Sequence, residues 1–351
     1  MKARMTLLAV VVTGVSAFIA LRNVDFEDVW ATLRSSEYWW LLPALAVMAV
    51  AVFLRAIRWR YLYVRETRPD VWPCTEALLV GHFFNTVLPM RAGDVARVGA
   101  INLRTGASKA EALATIVVER TFDVFALLLL LFVALPWLPQ VTWVRTAALV
   151  AIVLAFGLVA CVVTLAVYGE RPLHFVFRPL SRLPYLDARR VELGVVNVAK
   201  GLAGLRRAHL GGVSFVLTIV SWALLAVSFW LVTLCFDLDL PLGAGLLVVI
   251  ATGFSLIIPA APAGLGVFEA ATVVALAAYE VPKADALSYA LVLHLVNIVP
   301  FLVAGAIVLN LHGLRGIGRG EVRSAAVAGG PGVHEYDVAE PADGNAHVRD
   351  P

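Results

Sequence analysis

The sequence predicts an all-α polytopic membrane protein, with six transmembrane helices and two re-entrant helical hairpins arranged as an inverted repeat. The first observation is composition. Of the 351 residues, 61% are hydrophobic and 15% are charged, against roughly 45–50% and 25% in soluble domains. The second is the recurrence of uncharged apolar runs whose length suits a bilayer crossing. The third is that Pro and Gly interrupt two of these runs at corresponding positions in the two halves.

The first unit of the predicted repeat extends from about residue 5 to residue 137. Runs 5–21 and 38–54 are its first two spans, because each is near the lower limit of the ~17–25 residues that cross a bilayer. Residues 76–104 form a hairpin, since the first arm is too short and too interrupted for a confident crossing. A helix from about Ser108 to Leu135 is the third span.

The second unit, about residues 146–312, repeats the order span, span, hairpin, span. These elements are predicted at residues 146–168, 213–235, 242–280 and 286–311. Each unit has an odd number of crossings, so the second unit is inverted relative to the first. Paired Gly/Pro interruptions in such repeats are a pointer to a central transport site. Residues 1–312 are therefore predicted to be one membrane domain.

Charges in the loops predict the orientation. Residues 55–70 are rich in Arg, and residues 169–212 carry eight Arg or Lys against three acids. By the positive-inside rule these loops and both termini are cytoplasmic. Residues 313–351 lack apolar periodicity and are predicted to form a disordered cytoplasmic tail. The expected location is the plasma membrane of a bacterium.

The first hairpin carries the residues that favour an anion. Its hinge is predicted at Pro89 and Gly93, and the helix that returns from the hinge presents free N–H groups and a partial positive charge. Arg91 and Arg97 bracket this terminus, and a guanidinium binds phosphate in bidentate fashion. Alternatively, Arg91 extends to the lipid headgroups and Asp94 only caps the helix.

Two further groups of polar residues lie at membrane depth. Glu119 and Asp123 share a helix face beside Arg120, and are either an ion-paired gate or proton-coupling site or a structural lock between helices. Asp94 is predicted to belong with them as a gating or ion-pair residue. Glu269 is either a cap on its own helix or the partner of an arginine from the first hairpin. The predicted hinge of the second hairpin consists of Pro262, Gly264 and Gly266.

The remaining polar residues favour packing over chemistry. His82 with Asn85, and His294 with Asn297, have a spacing that suits hydrogen bonds between helices better than a metal site. The three cysteines are far apart and show no metal or disulfide spacing. We expect no metal, no cofactor and no nucleic-acid partner.

Three strings resemble the flippase-like transmembrane region of the lysylphosphatidylglycerol synthase family over roughly residues 5–312. They are Gly81-x-x-x-Asn85-x-x-Leu88-Pro89-x-Arg91-x-Gly93-Asp94-x-x-Arg97, Glu119-Arg120-x-x-Asp123 and Pro262-Ala-Gly264-Leu-Gly266-Val-x-Glu269. The resemblance implies re-entrant segments and movement of an anionic or aminoacylated lipid between leaflets. Carried over, the headgroup path is lined by Asn85, Arg91, Arg97, Arg120 and Glu269. Asp94 replaces the family's usual Glu, and Ala263 replaces a common Gly.

Two functions remain open from the sequence. The first is a lipid flippase or transporter that moves an anionic or phosphate-bearing headgroup between leaflets. The second is a non-catalytic membrane subunit that assists a separately encoded enzyme acting on a lipid or a polyprenyl phosphate, with the basic loop 169–212 as its docking surface. An enzyme is not expected, because no nucleophile and base pair is evident and the residues after the sixth span are too few for a synthase domain. A homo-oligomer is compatible with both functions.

Overall fold

The computed structural model describes residues 2–22, 24–88, 92–139, 208–255 and 261–311, together with parts of 141–157. Side chains are described from Val11 onwards in the first half and from Gly211 onwards in the second. Within these ranges the chain is helical, with short turns and no strand. The α-helices are α1 (Lys2–Leu21), α2 (Phe26–Ser35), α3 (Leu41–Leu62), α4 (Val71–Val87), α5 (Ala92–Thr105), α6 (Lys109–Ala134), α7 (Ala208–Thr233), α8 (Leu242–Ser255), α9 (Val267–Ala277) and α10 (Lys283–Leu311).

Three helical segments of the described chain are long and apolar enough to cross a membrane. They are Tyr38–Leu62, Gly211–Phe236 and Lys283–Leu311. Along α10, exposed apolar side chains recur every four residues and so form a continuous stripe that winds gradually around the helix. They are Leu291, Leu295, Val299, Val303, Ile307 and Leu311. An apolar stripe of this length is what contact with lipid tails requires, and the chain is a multi-pass membrane protein.

The predicted boundary of the second span was wrong. Helix α3 continues to Leu62, so Arg55 and Arg58 lie inside it and not in a cytoplasmic loop. The helix continues because Arg58 is neutralised by buried carboxylates from a neighbouring helix. The first arm of the first hairpin is also longer than predicted, since α4 begins at Val71.

Helix α2 was not predicted. It begins after Asp25, whose side chain accepts a hydrogen bond from the Glu27 N–H at 2.9 Å, and it exposes Phe26 and Trp30. A short amphipathic helix with exposed aromatic residues suits the interface between lipid and water. By contrast, the helix predicted from about Ser108 to Leu135 was confirmed as α6, where Ser108 caps the first turn.

The helices of the two halves pack in recurring pairs. Helix α3 packs along α7. The arms of the first hairpin, α4 and α5, pack together, as do α8 and α9. Helix α4 contacts α10 and α8 contacts α6, while α5 contacts α6 and α9 contacts α10. In addition, the turn Pro262–Gly264 contacts α4, so the connection of the second hairpin lies against the first hairpin.

Glycine permits the close approach of the two arms of the first hairpin. A methyl group on Gly93 would lie 1.9 Å from the carbonyl oxygen of Gly81 and 2.6 Å from the backbone nitrogen of Asn85. Both are backbone atoms, which cannot move aside as a flexible side chain does. The predicted hinge residue Gly93 is therefore a point of helix–helix contact.

The predicted fourth span, the basic loop 169–212 and the tail 313–351 fall largely or wholly outside the described residues.

Candidate functional site

Buried charges from three helices form the centre of the candidate site. The Arg97 guanidinium binds Glu119 through two parallel hydrogen bonds, of 3.0 and 2.9 Å. Arg58 bridges two carboxylates, with its Nη2 3.0 Å from Glu119 and its Nη1 2.6 Å from Asp123. These four side chains come from α3, α5 and α6, and their residues are all buried. We call this group, together with Arg55, Asp94 and Arg120, the charge network.

Arg120 extends the network to the start of α5. Its Nη2 lies 2.9 Å from Asp94 and its Nη1 lies 3.3 Å from Asp123. The Arg120 side chain is 40% exposed, so it marks the edge of the network. Asp94 is therefore paired across helices, and its carboxylate joins α5 to α6.

Aromatic and hydroxyl side chains hold the network in place. The Arg97 guanidinium lies 3.6 Å from the centroid of the Trp59 ring, a cation–π contact, and Trp59 donates its own N–H to Thr115. From α7, the Trp222 indole donates to Asp123 at 3.1 Å. Burial raises the pKa of the neighbouring Tyr63 phenol, so Tyr63 adds no charge.

Arg55 lies one turn before Arg58 and differs from the other arginines. Its guanidinium lies over Trp222, 4.5 Å from the ring centroid. Its Nε and Nη2 atoms are buried and have no hydrogen-bond partner in the structure. Sequence reasoning missed both Arg55 and Arg58 because they were assigned to a loop. The available signal was their i, i+3 spacing directly before Trp59, which places them on one helix face.

The predicted hinge of the first hairpin is only partly described, because Pro89 and Arg91 lie outside the described residues. The Asn85 side-chain oxygen accepts the Gly93 N–H at 2.9 Å. One of the N–H groups at the start of α5, which the sequence analysis expected to be free for an anion, therefore already donates to Asn85.

The second hairpin holds a different pair. Glu269 accepts the Gly266 N–H at 2.7 Å, which caps α9, and its other oxygen lies 2.6 Å from Nδ1 of His294 on α10. Nε2 of His294 lies 3.1 Å from the carbonyl oxygen of Ala263. Among the described residues Glu269 therefore meets a histidine and not an arginine of the first hairpin.

The turn of the second hairpin has a left-handed backbone. The φ angles are 59° at Ala263, 77° at Gly264 and 80° at Gly266. Glycine adopts this region without strain, whereas alanine does not. Pro262 begins the turn. The predicted hinge residues are thus together in a tight turn, with Ala263 at the strained position.

The described part of the chain contains no group of three or more His, Cys, Asp or Glu residues placed to hold a metal ion. The candidate site residues fall into two separate groups: the charge network between α3, α5 and α6, with Trp222 of α7 beside it, and the Glu269–His294 pair between α9 and α10.

Comparison with known proteins agrees with the architecture. Residues 6–305 match the family described as the lysylphosphatidylglycerol synthase TM region. A UPF0104 membrane protein of Methanocaldococcus jannaschii is 24% identical over 239 residues, which cover 65% of this chain and 94% of that protein. A UPF0104 membrane protein of Methanothermobacter thermautotrophicus is 24% identical over 277 residues, which cover 76% of this chain and 82% of the relative. Both relatives are archaeal and lend no support to a bacterial membrane. The chain belongs to the family of the lysylphosphatidylglycerol synthase TM region.

Proposed function

We propose that this protein is a lipid flippase or a related lipid transporter, which passes an anionic headgroup between the leaflets of its membrane. The observation that carries the proposal is the charge network. Charges inside a membrane are costly and are usually kept for function. Buried ion pairs are also weak contributors to stability, because desolvation offsets much of their attraction. A network of this size among apolar helices therefore needs a role other than stability.

The helix pairs support an inverted repeat. If the four helices from α3 to α6 correspond to those from α7 to α10, then the contacts of α4 with α10 and of α8 with α6 are equivalent. The contacts within each hairpin, and those of each hairpin with the following long helix, also correspond. In transporters with this arrangement, one half rocks against the other around a central site.

The depth of the network supports entry from one leaflet. Arg55 lies seven residues before the end of α3 at Leu62, which is about 10 Å at 1.5 Å per residue. In the proposed topology this end of α3 and both termini are cytoplasmic. A headgroup of the cytoplasmic leaflet then reaches the network without crossing the hydrocarbon core.

The family name favours a second candidate. The matched family is the TM region of a synthase, so this chain is alternatively a non-catalytic membrane subunit that assists a separate lipid-modifying enzyme. Copurification distinguishes the two. The subunit hypothesis predicts a soluble enzyme that remains bound through detergent purification, whereas a transporter acts alone after reconstitution.

Reconstitution tests the transporter directly. The purified protein is inserted into liposomes that contain fluorescent phosphatidylglycerol, and a membrane-impermeant reductant removes the signal of the outer leaflet. Transbilayer movement should be faster than in protein-free liposomes and should fall in Arg97→Gln. The control is Arg34→Gln, which changes an exposed arginine on α2. Equal rates with and without the wild-type protein would contradict the proposal.

An Arg97→Gln protein that fails to fold gives no information about transport. The paired change Arg97→Gln with Glu119→Gln removes both charges of one bidentate pair and avoids an uncompensated buried carboxylate. This variant should fold and should still transport more slowly than the wild type. Transport at the wild-type rate in the folded double variant would show that the Arg97–Glu119 pair is not needed for transport.

A further inference from the structure

Arg55 presents an open hydrogen-bonding edge. The two N–H groups without acceptors, on Nε and Nη2, lie on the same side of the planar guanidinium. In proteins, this edge of a guanidinium group binds oxyanions side-on through two parallel hydrogen bonds. Arg97, by comparison, uses Nη1 and Nη2, at the end of its guanidinium, to bind Glu119.

Among the described residues of the charge network, Arg55 is also the one arginine whose positive charge is not balanced by a contacting carboxylate. Arg58, Arg97 and Arg120 each contact at least one carboxylate. The three carboxylates of the network balance these three arginines, and Arg55 adds a fourth positive charge beside Trp222. Buried N–H groups without hydrogen-bond acceptors are costly, and an anionic ligand removes that cost.

We propose that Arg55, not Arg97 or Arg120, is the residue that binds the anion of the transported headgroup. This inference rests on the proposed function and specifies its ligand: a lipid with an unbalanced phosphate or other oxyanion, bound side-on at Nε and Nη2 of Arg55. Trp222 positions the guanidinium from α7. The ion pairs of Arg97 and Arg120 fix the surrounding helices.

Arg68 provides a matched control. Its guanidinium lies over Tyr61, 5.2 Å from the ring centroid, and its Nε and Nη2 atoms also lack partners. It lies in the loop between α3 and α4, outside the charge network. The two arginines thus share their local chemistry and differ in location.

The transport assay compares Arg55→Gln, Arg55→Lys and Arg68→Gln. Movement of fluorescent phosphatidylglycerol should fall about tenfold or more in Arg55→Gln, because two charge-assisted hydrogen bonds are lost. Arg55→Lys keeps the charge without the planar edge and should be intermediate. Arg68→Gln should remain within about twofold of the wild type. Wild-type transport in Arg55→Gln would overturn this inference but leave the transporter standing; inactive wild-type protein would overturn both.

Binding gives a readout separate from transport and identifies the phosphate source. The melting temperature of the detergent-solubilised protein is measured with short-chain phosphatidylglycerol, short-chain polyprenyl phosphate, inorganic phosphate and, as a neutral control, short-chain phosphatidylcholine. At least one of the three anionic probes should stabilise the wild type and Arg68→Gln but not Arg55→Gln, whereas zwitterionic phosphatidylcholine should stabilise none of them. If every probe raised the melting temperature of Arg55→Gln as much as that of the wild type, an anion contact at Arg55 would be contradicted.

A separate observation concerns the second hairpin. Both ring nitrogens of His294 face oxygen atoms, Nδ1 the Glu269 carboxylate and Nε2 the Ala263 carbonyl. A carbonyl oxygen only accepts hydrogen bonds, and so does an ionised carboxylate. Both contacts are hydrogen bonds only when the pair holds two protons, as imidazolium with carboxylate or as imidazole with carboxylic acid. With one proton fewer, one of the two contacts loses its hydrogen.

Few other titratable groups surround His294 in the described structure. Glu269 comes from α9, and the Phe268 ring from the same helix stacks on the imidazole at 4.5 Å. From α4, His82 stacks on Phe301, two turns further along α10. On the face of α10 towards α7, the Tyr289 hydroxyl donates to the Phe229 carbonyl. Glu269 is therefore the group that shares its proton directly with His294.

We infer that Glu269 and His294 form a proton-binding site that holds the turn of the second hairpin. Release of one proton to water removes either the bond between the two side chains or the bond to Ala263. The Ala263 backbone is strained at a φ of 59°, so loss of this bond favours movement of the turn. The turn contacts α4, which connects proton release to the first hairpin.

Cysteine labelling tests this inference in a cysteine-free background. Leu265→Cys reports on the turn and Leu242→Cys, at the start of α8, is the control; both leucines are 50% exposed. The ratio of the two maleimide labelling rates removes the intrinsic effect of pH on thiols. As pH rises this ratio should increase, and His294→Gln should abolish the increase. The same pH profile with and without His294→Gln would overturn the proton-binding site.

Discussion

The two hairpins solve the same backbone problem with different chemistry. In each, a helix breaks and a new helix starts inside an apolar protein, and a side chain satisfies an N–H at the new start. Asn85 does this for Gly93, and Glu269 does it for Gly266. The first hairpin then adds two ion pairs with α6, Arg97 with Glu119 and Asp94 with Arg120, whereas residues 242–277 contain no Lys or Arg.

This difference separates fixed charge from titratable charge. Guanidinium groups stay protonated at every physiological pH, so the first hairpin presents a constant electrostatic environment to a ligand. The Glu269–His294 pair exchanges a proton, so its hydrogen bonds depend on pH. In the two inferences above, the fixed charges around the first hairpin serve binding, and the titratable pair of the second hairpin serves movement.

The largest expected effect on stability comes from a change in the charge network. Arg58→Met leaves Glu119 and Asp123 each without one buried partner, and breaking a buried pair in this way costs about 3–5 kcal/mol. The measurement is the free energy of unfolding in detergent. A second change, Asp123→Asn, should restore part of the loss, because without Arg58 the Asp123 carboxylate keeps only the 3.3 Å ion pair with Arg120, whereas Glu119 still binds Arg97. A loss below about 1 kcal/mol would show that water reaches the network and screens it.

Gly93→Ala should have the next largest effect. The added methyl group meets backbone atoms of α4 at 1.9 and 2.6 Å, and overpacking of this kind costs about 1–3 kcal/mol. Gly14→Ala is the matched control, since nothing lies within 4 Å of its added methyl group. The melting temperature should fall for Gly93→Ala and stay or rise for Gly14→Ala. Equal melting temperatures would contradict the close contact of α4 and α5.

The smallest effects distinguish the two caps. Asn85→Ala should cost about 1 kcal/mol, as loss of a helix cap does, with no dependence on pH. Glu269→Gln keeps an acceptor for Gly266 and should cost less, but it removes the shared proton with His294. The unfolding midpoint of each variant is measured between pH 5 and pH 9 and compared with that of the wild type. The curve of Asn85→Ala should run parallel to the wild-type curve, whereas the curve of Glu269→Gln should not. Parallel curves for both would remove the contrast between the hairpins.

Composition and apolar run length were sufficient to predict the helical membrane fold. The start of α6 followed from Ser108, and the long apolar helices from the length of their runs. Helix α2 was missed because its apolar residues form only a short amphipathic pattern. The end of α3 was misplaced because arginines inside a membrane helix are usually excluded, and their carboxylate partners lie more than 60 residues away in sequence.

The types of residue in the candidate site could be predicted from the sequence, but which side chains pair with each other could not. Glu119, Arg120 and Asp123 were recognised as a group because they are adjacent on one helix. The bond between Arg97 and Glu119, and that between Glu269 and His294, depend on which helices pack together. Arg55 becomes prominent only when every other arginine of the network is seen to have a carboxylate.

The most direct test compares two lipids in one preparation. Liposomes that contain the wild-type protein are made with fluorescent phosphatidylglycerol or with fluorescent phosphatidylcholine, and the rate of transbilayer movement is measured for each. An anion-binding transporter should move phosphatidylglycerol faster than phosphatidylcholine, and Arg55→Gln should remove the difference. Rates for both lipids equal to those of protein-free liposomes would contradict the central claim.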